Sequence, residues 1–147
     1  MNIFDEAFGE FGEQQPFGPR EGVAGVLLGA SACDGHIADE EVQTLLTVLG
    51  RMKMYQHVNN NQFGSMMDRL MGKLRRKGPD GLLDEAAPAV PPELRETVFA
   101  NACDIVLADG VVEPDEKEFL NSLMARLEIP GDRTLTIVKV MVIKNKG

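Results

Sequence analysis

Apolar residues recur along this chain mostly at intervals of three and four, the spacing of helices that bury one side. Val23, Val26, Leu27, Ala30 and Cys33 trace such a face up to Asp34-Gly35, and Val42, Leu45, Leu46, Leu49 and Met52 resume it in the next segment. "NNNQFGSMMDRLMGKLRRKG" (residues 59–78) predicts a third helix with an Asn-rich start, basic residues in its last turn and Gly78 after it. "GPDGLLDEAAPAV" reads as a short fourth helix, broken at Pro88 before Pro91-Pro92 opens a longer fifth. There Leu94, Val98, Phe99, Ala102, Ile105 and Val106 share a face that ends at Asp109-Gly110. Phe119, Leu120, Leu123, Met124 and Leu127 make a sixth, closed by Pro130-Gly131. The last segment, "DRTLTIVKVMVIKNKG", has the β-branched alternation of a strand. A lone strand among helices would leave its backbone groups unpaired, so a seventh helix is the reading preferred. The expected fold is all-α, a bundle of about seven helices.

Residues 1–20 differ from this body. They hold four of the seven phenylalanines, Phe4, Phe8, Phe11 and Phe17, but Gly9, Gly12, Pro16, Gly18 and Pro19 weaken any helix. They read as an arm whose aromatics dock on the domain formed by 21–147, with a partner-binding tail as the sharper alternative. The start "MNIFDEAFGE" lacks the basic and apolar regions of a secretory signal, and no apolar run approaches the roughly 20 residues of a membrane span. A cytoplasmic protein is expected. The formal charge of −8 disfavours nucleic acid and favours cations or basic partners. One stretch runs the other way: Arg69, Lys73, Arg75, Arg76 and Lys77 gather on the third helix. They suit phosphate, anionic lipid or an acidic partner, or simply a solvated helix face.

Two stretches carry the candidate chemistry. "ACDGHIADEE" (residues 32–41) and "LADGVVEPDE" (107–116) align at an offset of 75 residues. The alignment pairs Asp34-Gly35 with Asp109-Gly110, Ile37 with Val112, Glu41 with Glu116, Leu45 with Leu120 and Leu49 with Met124. The chain therefore reads as two pseudo-repeated helix–loop–helix units. Each resembles the back half of an EF-hand loop, but a complete loop needs acids at positions 1 and 3. Those positions fall on Ala30 and Ala32 in one copy and on Ile105 and Leu107 in the other, so neither loop wraps a calcium ion alone.

Turn and cap chemistry explains much of the pattern. Gly35 and Gly110 suit the left-handed position that ends a helix, Ile37 and Val112 pack across the turn, and Pro114 suits the first helical residue. Glu116, and by alignment Glu41, then sits third in the new helix, where it can reach back to the N-cap amide. Asp34 and Asp109 are less well explained this way. If the two units pack together, Asp34, Glu41, Asp109 and Glu116 converge. Four such carboxylates repel unless a cation sits among them or their protons are retained. Oxygen ligands of this kind prefer Ca²⁺, Mg²⁺ or Mn²⁺, and Asp39, Glu40, Glu113 and Asp115 deepen the negative field. Both readings stand at this stage.

The paired "A-D-G-x-[IV]-x-x-x-E" loops, present here as "CDGHIADEE" and "ADGVVEPDE", resemble the TerB family associated with bacterial tellurite resistance. The resemblance covers roughly residues 20–145. It implies a seven-helix all-α fold, a cytoplasmic role in stress response, and acidic residues suggested to bind a metal, which fall on Asp34, Glu41, Asp109 and Glu116. The first copy departs from the pattern, with Cys33 before Asp34 and Ala38 at the N-cap, where Ser or Thr is usual.

Other residues change the picture little. Met52, Met54, Met66, Met67 and Met71 offer thioethers for Cu(I) but read as packing between helices. His36 lies in the first acidic loop and is matched by Val111 in the second; it reads as exposed, and His57 has no partner by spacing. Cys33 and Cys103 are too few for a four-sulfur zinc site and read as small buried hydrophobes. No nucleophile elbow, phosphate loop or H-E-x-x-H is present. The leading expectation is a non-enzymatic protein holding a divalent cation, Ca²⁺ or Mg²⁺, through the paired loops. The others are a metal-free interaction module that docks protein partners through its acidic loops and basic helix 69–77, and a hydrolase using carboxylates around a metal.

Overall fold

From residue 22 to residue 32 every position of the first helix, Pro19–Ala32 (α1), is buried. The sequence suggests one apolar face, but its small residues let neighbours close on every side. A Cβ at Gly22 would lie 2.8 Å from the Ala89 Cβ, one at Gly25 2.9 Å from the Ala86 Cβ, and one at Gly29 3.2 Å from the Phe119 ring. A helix apolar all round is an axis for the rest. A computed structural model describes residues 16–33, 37–108 and 110–147 of the chain. Phe4, Phe8 and Phe11 of the arm, and Asp34, Gly35, His36 and Asp109 of the corners, lie outside the described residues.

Five more helices follow: Asp39–Gly50 (α2), Asn60–Ala86 (α3), Arg95–Leu107 (α4), Pro114–Arg126 (α5) and Gly131–Lys144 (α6). Short 3₁₀ turns at Lys53–Tyr55, Ala87–Ala89 and Pro92–Leu94 connect them. Among the described residues the fold is all-α, and none of these helices is long and apolar enough to cross a membrane. α1 packs against α2, α3, α4 and α5, while α6 lies on α4. The core between them includes Val23, Leu27, Leu45, Leu70, Leu82, Phe99 and Leu123, all at most 1% exposed.

The expected count of seven helices is corrected to six among the described residues. The predicted third and fourth segments follow each other without a loop and are counted together as α3, two helical halves that meet at a kink at Gly78 (φ 72°, ψ 176°), with Pro79 starting the second half. Gly78 takes the left-handed conformation that breaks the first half, and Pro79 stands where its missing N–H is tolerated. An ion-paired clip spans the bend. Glu85, beyond it, accepts from Lys73 Nζ at 3.0 Å and from Lys77 Nζ at 3.1 Å, and Lys73 is only 3% exposed. The reading of residues 69–77 as a solvated face therefore fails at Lys73, whose charge is neutralised inside the bend.

The terminal segment is a helix despite its β-branched residues. Ile137, Val138 and Met141 fall on one side and pack on the core. The Lys144 ammonium and Asn145 amide both reach Asp104 on α4, and Arg133 pairs with Glu96.

Candidate functional site

Each corner joins a helix end to a helix start. In the second copy, Gly110 takes a φ of 79°, and its N–H closes on Leu107 O at 3.0 Å. α5 then opens with Pro114 as its first residue and Glu113 as N-cap. The Glu113 N–H donates to Glu116 Oε1 at 2.9 Å, while the Glu116 N–H donates to the Glu113 backbone carbonyl at 3.0 Å. This reciprocal pair satisfies two of the amides that a helix start leaves open. The first copy is built more loosely. Ala38 is the N-cap of α2 and supplies no side-chain bond, so three acids, Asp39, Glu40 and Glu41, crowd the first turn against the positive helix end alone. Ile37 and Val112, at matching positions, are half-buried against the core.

The two corners face one cavity of about 440 Å³. Ala30 and Ser31 from the end of α1 and Ile105 and Ala108 from the end of α4 form one side. Glu40, Glu41 and Thr44 from the start of α2 and Glu116 from α5 form the other. Ala30 and Ile105 are equivalent in the 75-residue repeat, as are Glu41 and Glu116, so matching positions of the two copies look into the same space. α1 and α4 pack directly, which brings the described ends of these helices to one cavity, and Phe119 over Gly29 ties α5 to α1.

The cavity's donors are oxygens. Glu116 is only 8% exposed, so its carboxylate is held by partners and not by bulk water. Glu41 is partly exposed, one turn below Thr44. Ser31 donates its hydroxyl proton to Leu27 O at 3.1 Å, and Thr44 donates to Glu40 O at 3.0 Å. Both oxygens keep lone pairs for a ligand. These two hydroxyls escape sequence reasoning, since lone Ser and Thr inside helices give no signal.

Of the four acids read from sequence, Glu41 and Glu116 share the cavity, and Asp34 and Asp109 belong to the residues not described. Among the described residues no group of three or more His, Cys, Asp or Glu is placed to hold a metal ion. The described oxygens suit a hard cation chemically but supply two of the four expected carboxylates. The methionines read as packing are half-buried or buried against the core. His57 is exposed, Cys33 is partly exposed, and Cys103 is buried.

Compared with models of known families, residues 20–135 match the family described as Tellurite resistance protein TerB. No curated protein and no solved structure matches the chain. The matched span contains both corners and every residue that lines the cavity between them. It covers well over half of the 147 residues, and the chain belongs to the TerB family.

Proposed function

We propose that this TerB-family protein is a non-enzymatic, cytoplasmic stress-response protein that binds a divalent cation, Ca²⁺ or Mg²⁺, between its two Asp-Gly corners. The observation that carries the reading is that Glu41 and Glu116, equivalent in the repeat, line one cavity. A cation there would be held by those carboxylates together with Asp34 and Asp109, with the Ser31 and Thr44 hydroxyls at its edge. It would supply positive charge where acids from two corners meet, coupling the α1–α2 unit to the α4–α5 unit. Ser31 spends its proton on a backbone carbonyl and not on a base, which supports binding over catalysis.

The test is thermal unfolding of protein stripped with EDTA and refilled with Ca²⁺ or Mg²⁺. A ligand at 100 times its Kd stabilises by about 2.7 kcal/mol. The melting temperature should rise on refilling, and replacing Asp34 and Asp109 together by Asn should abolish the rise. An unchanged melt in the native sequence rejects cation binding.

The reciprocal cap at Glu116 favours a second reading, in which the corner acids finish their own helices and the chain is a metal-free interaction module. The exposed Arg75 and Arg76 then belong to a partner surface. Reversing both charges should break partner capture under this reading and leave the cation response untouched under the first.

A further inference from the structure

Of the six helices, α6 alone has no buried residue. Ile137, Val138 and Met141 reach the core from one side, where the helix lies on α4. Its apolar content does not stop at that side. Leu135 is 54%, Val140 56%, Val142 48% and Ile143 71% exposed, four of the five large apolar side chains left open among the described residues. By helical periodicity they span the outer arc of α6, Leu135 and Val142 on one flank, Val140 and Ile143 on the other, with Lys139 between them. A helix apolar all round is ordinarily covered on every side. The family match ends at residue 135, so most of this face lies outside it.

The cations of this segment point to what covers it. On a chain of net charge −8, residues 133–147 hold Arg133, Lys139, Lys144 and Lys146 and no acid. Arg133 and Lys144 turn inward to Glu96 and Asp104. Lys139 and Lys146 are exposed and make no ion pair among the described residues. Two copies pressed together through this face would gather four such lysines, with no carboxylate after Asp132 to meet them. A protein partner would have to bury a carboxylate against Lys139 in the middle of an apolar contact, where desolvation offsets much of the attraction. A lipid surface requires neither: the lysine stem lies along the acyl chains while the ammonium stays hydrated at the level of the phosphates.

We propose that the outer face of α6 docks on an anionic lipid surface, with Leu135, Val140, Val142 and Ile143 among the outermost acyl groups and Lys139 and Lys146 at the phosphates. The helix lies in the plane of the surface and stays on α4, held near its two ends by the Arg133–Glu96 and Lys144–Asp104 pairs. Burial of the aliphatic side chains supplies the attraction, and the lysines supply the preference for anionic headgroups. No part of this contact depends on the cation site.

The test is sedimentation of the full-length chain with vesicles, in EDTA so that the cation site takes no part. One set of vesicles is phosphatidylcholine alone, and the other also contains phosphatidylglycerol. The chain should sediment with the second set and stay in solution with the first. Each lysine at an anionic surface is worth roughly fivefold in affinity, so Lys139→Gln with Lys146→Gln should weaken binding about 30-fold. Leu135→Ser with Ile143→Ser should also release the chain, while its circular dichroism spectrum stays that of the native protein, since both side chains are exposed. Equal binding to both vesicles, or binding that survives the lysine pair, overturns the proposal. So does absence of binding to phosphatidylglycerol, which leaves the face to an acidic protein. A chain that is a dimer without lipid and a monomer with Ile143→Ser assigns the face to a second copy and overturns the lipid contact.

Discussion

Gly29 is where the fold and the cavity meet, and Gly29→Val tests both. A Cβ there would stand 3.2 Å from Phe119 Cε2 and 3.3 Å from its Cζ, already tighter than ordinary contact before the two γ-carbons are added. Phe119 is 3% exposed, and its ring packs on the axis helix, so α5 must shift to make room. Overpacking of this kind costs about 3 kcal/mol, and removing a helical glycine returns about 0.4 kcal/mol, leaving a net loss near 2.5 kcal/mol. At about 3 °C per kcal/mol for a domain of this size, the melting temperature should fall by about 7 °C. The control is Gly64→Ala, in a helix with no atom within 4 Å of the new methyl, which should gain about 0.5–1 kcal/mol. Circular dichroism at 222 nm follows both melts. Because α5 carries Glu116, Gly29→Val should also weaken any cation response. A Gly29→Val melt equal to or above that of the native protein would refute close packing of α5 on α1.

Three further outcomes follow from the same contacts. Glu116→Ala removes the acceptor for the Glu113 N–H and should cost about 1–2 kcal/mol in cation-free buffer, while Glu41→Ala should stay within about 0.5 kcal/mol; chemical denaturation measures both. Burial raises the Glu85 carboxyl, but hydrogen bonds from Lys73 and Lys77 outweigh it and hold the group below the usual carboxylate range. Its stabilising contribution is therefore complete above the ordinary glutamate range and lost as pH falls through the lower folded value; Lys73→Met should flatten stability against pH on that acid limb. Burial, with the Asp104 charge adding to it, pushes the Cys103 thiol up to about 12, so thiol titration at pH 8 should find Cys33 alone until denaturant is added.

Much of this molecule is legible in its residues, for reasons that differ by region. The three-and-four spacing gives α2, α4 and α5 directly, because each buries one side. It also gives α1, through Val23, Val26, Leu27 and Ala30, but only as a one-faced helix; glycine and alanine let neighbours close on the other sides, and every side is buried. Gly78-Pro79 reads correctly as a break and the residues beyond it as helix, but the clip of Lys73 on Glu85 across the bend appears only in the structure. Charge alone put Lys73 on the surface; its burial depends on an acid twelve residues away, a partner that no helical spacing indicates. At the corners, Pro114 and Glu116 announce the cap through local chemistry, and the 75-residue offset pairs Glu41 with Glu116. That the pair shares a cavity depends on α1 meeting α4, a tertiary contact that no local pattern encodes.

The central claim is that two corners make one site. Calorimetric titration of EDTA-stripped protein with Ca²⁺, and separately with Mg²⁺, reads the stoichiometry directly. The account predicts one cation per chain for the native sequence, with the binding heat lost in both Glu41→Gln and Glu116→Gln. Two independent cations per chain, or no heat with either metal, would contradict it.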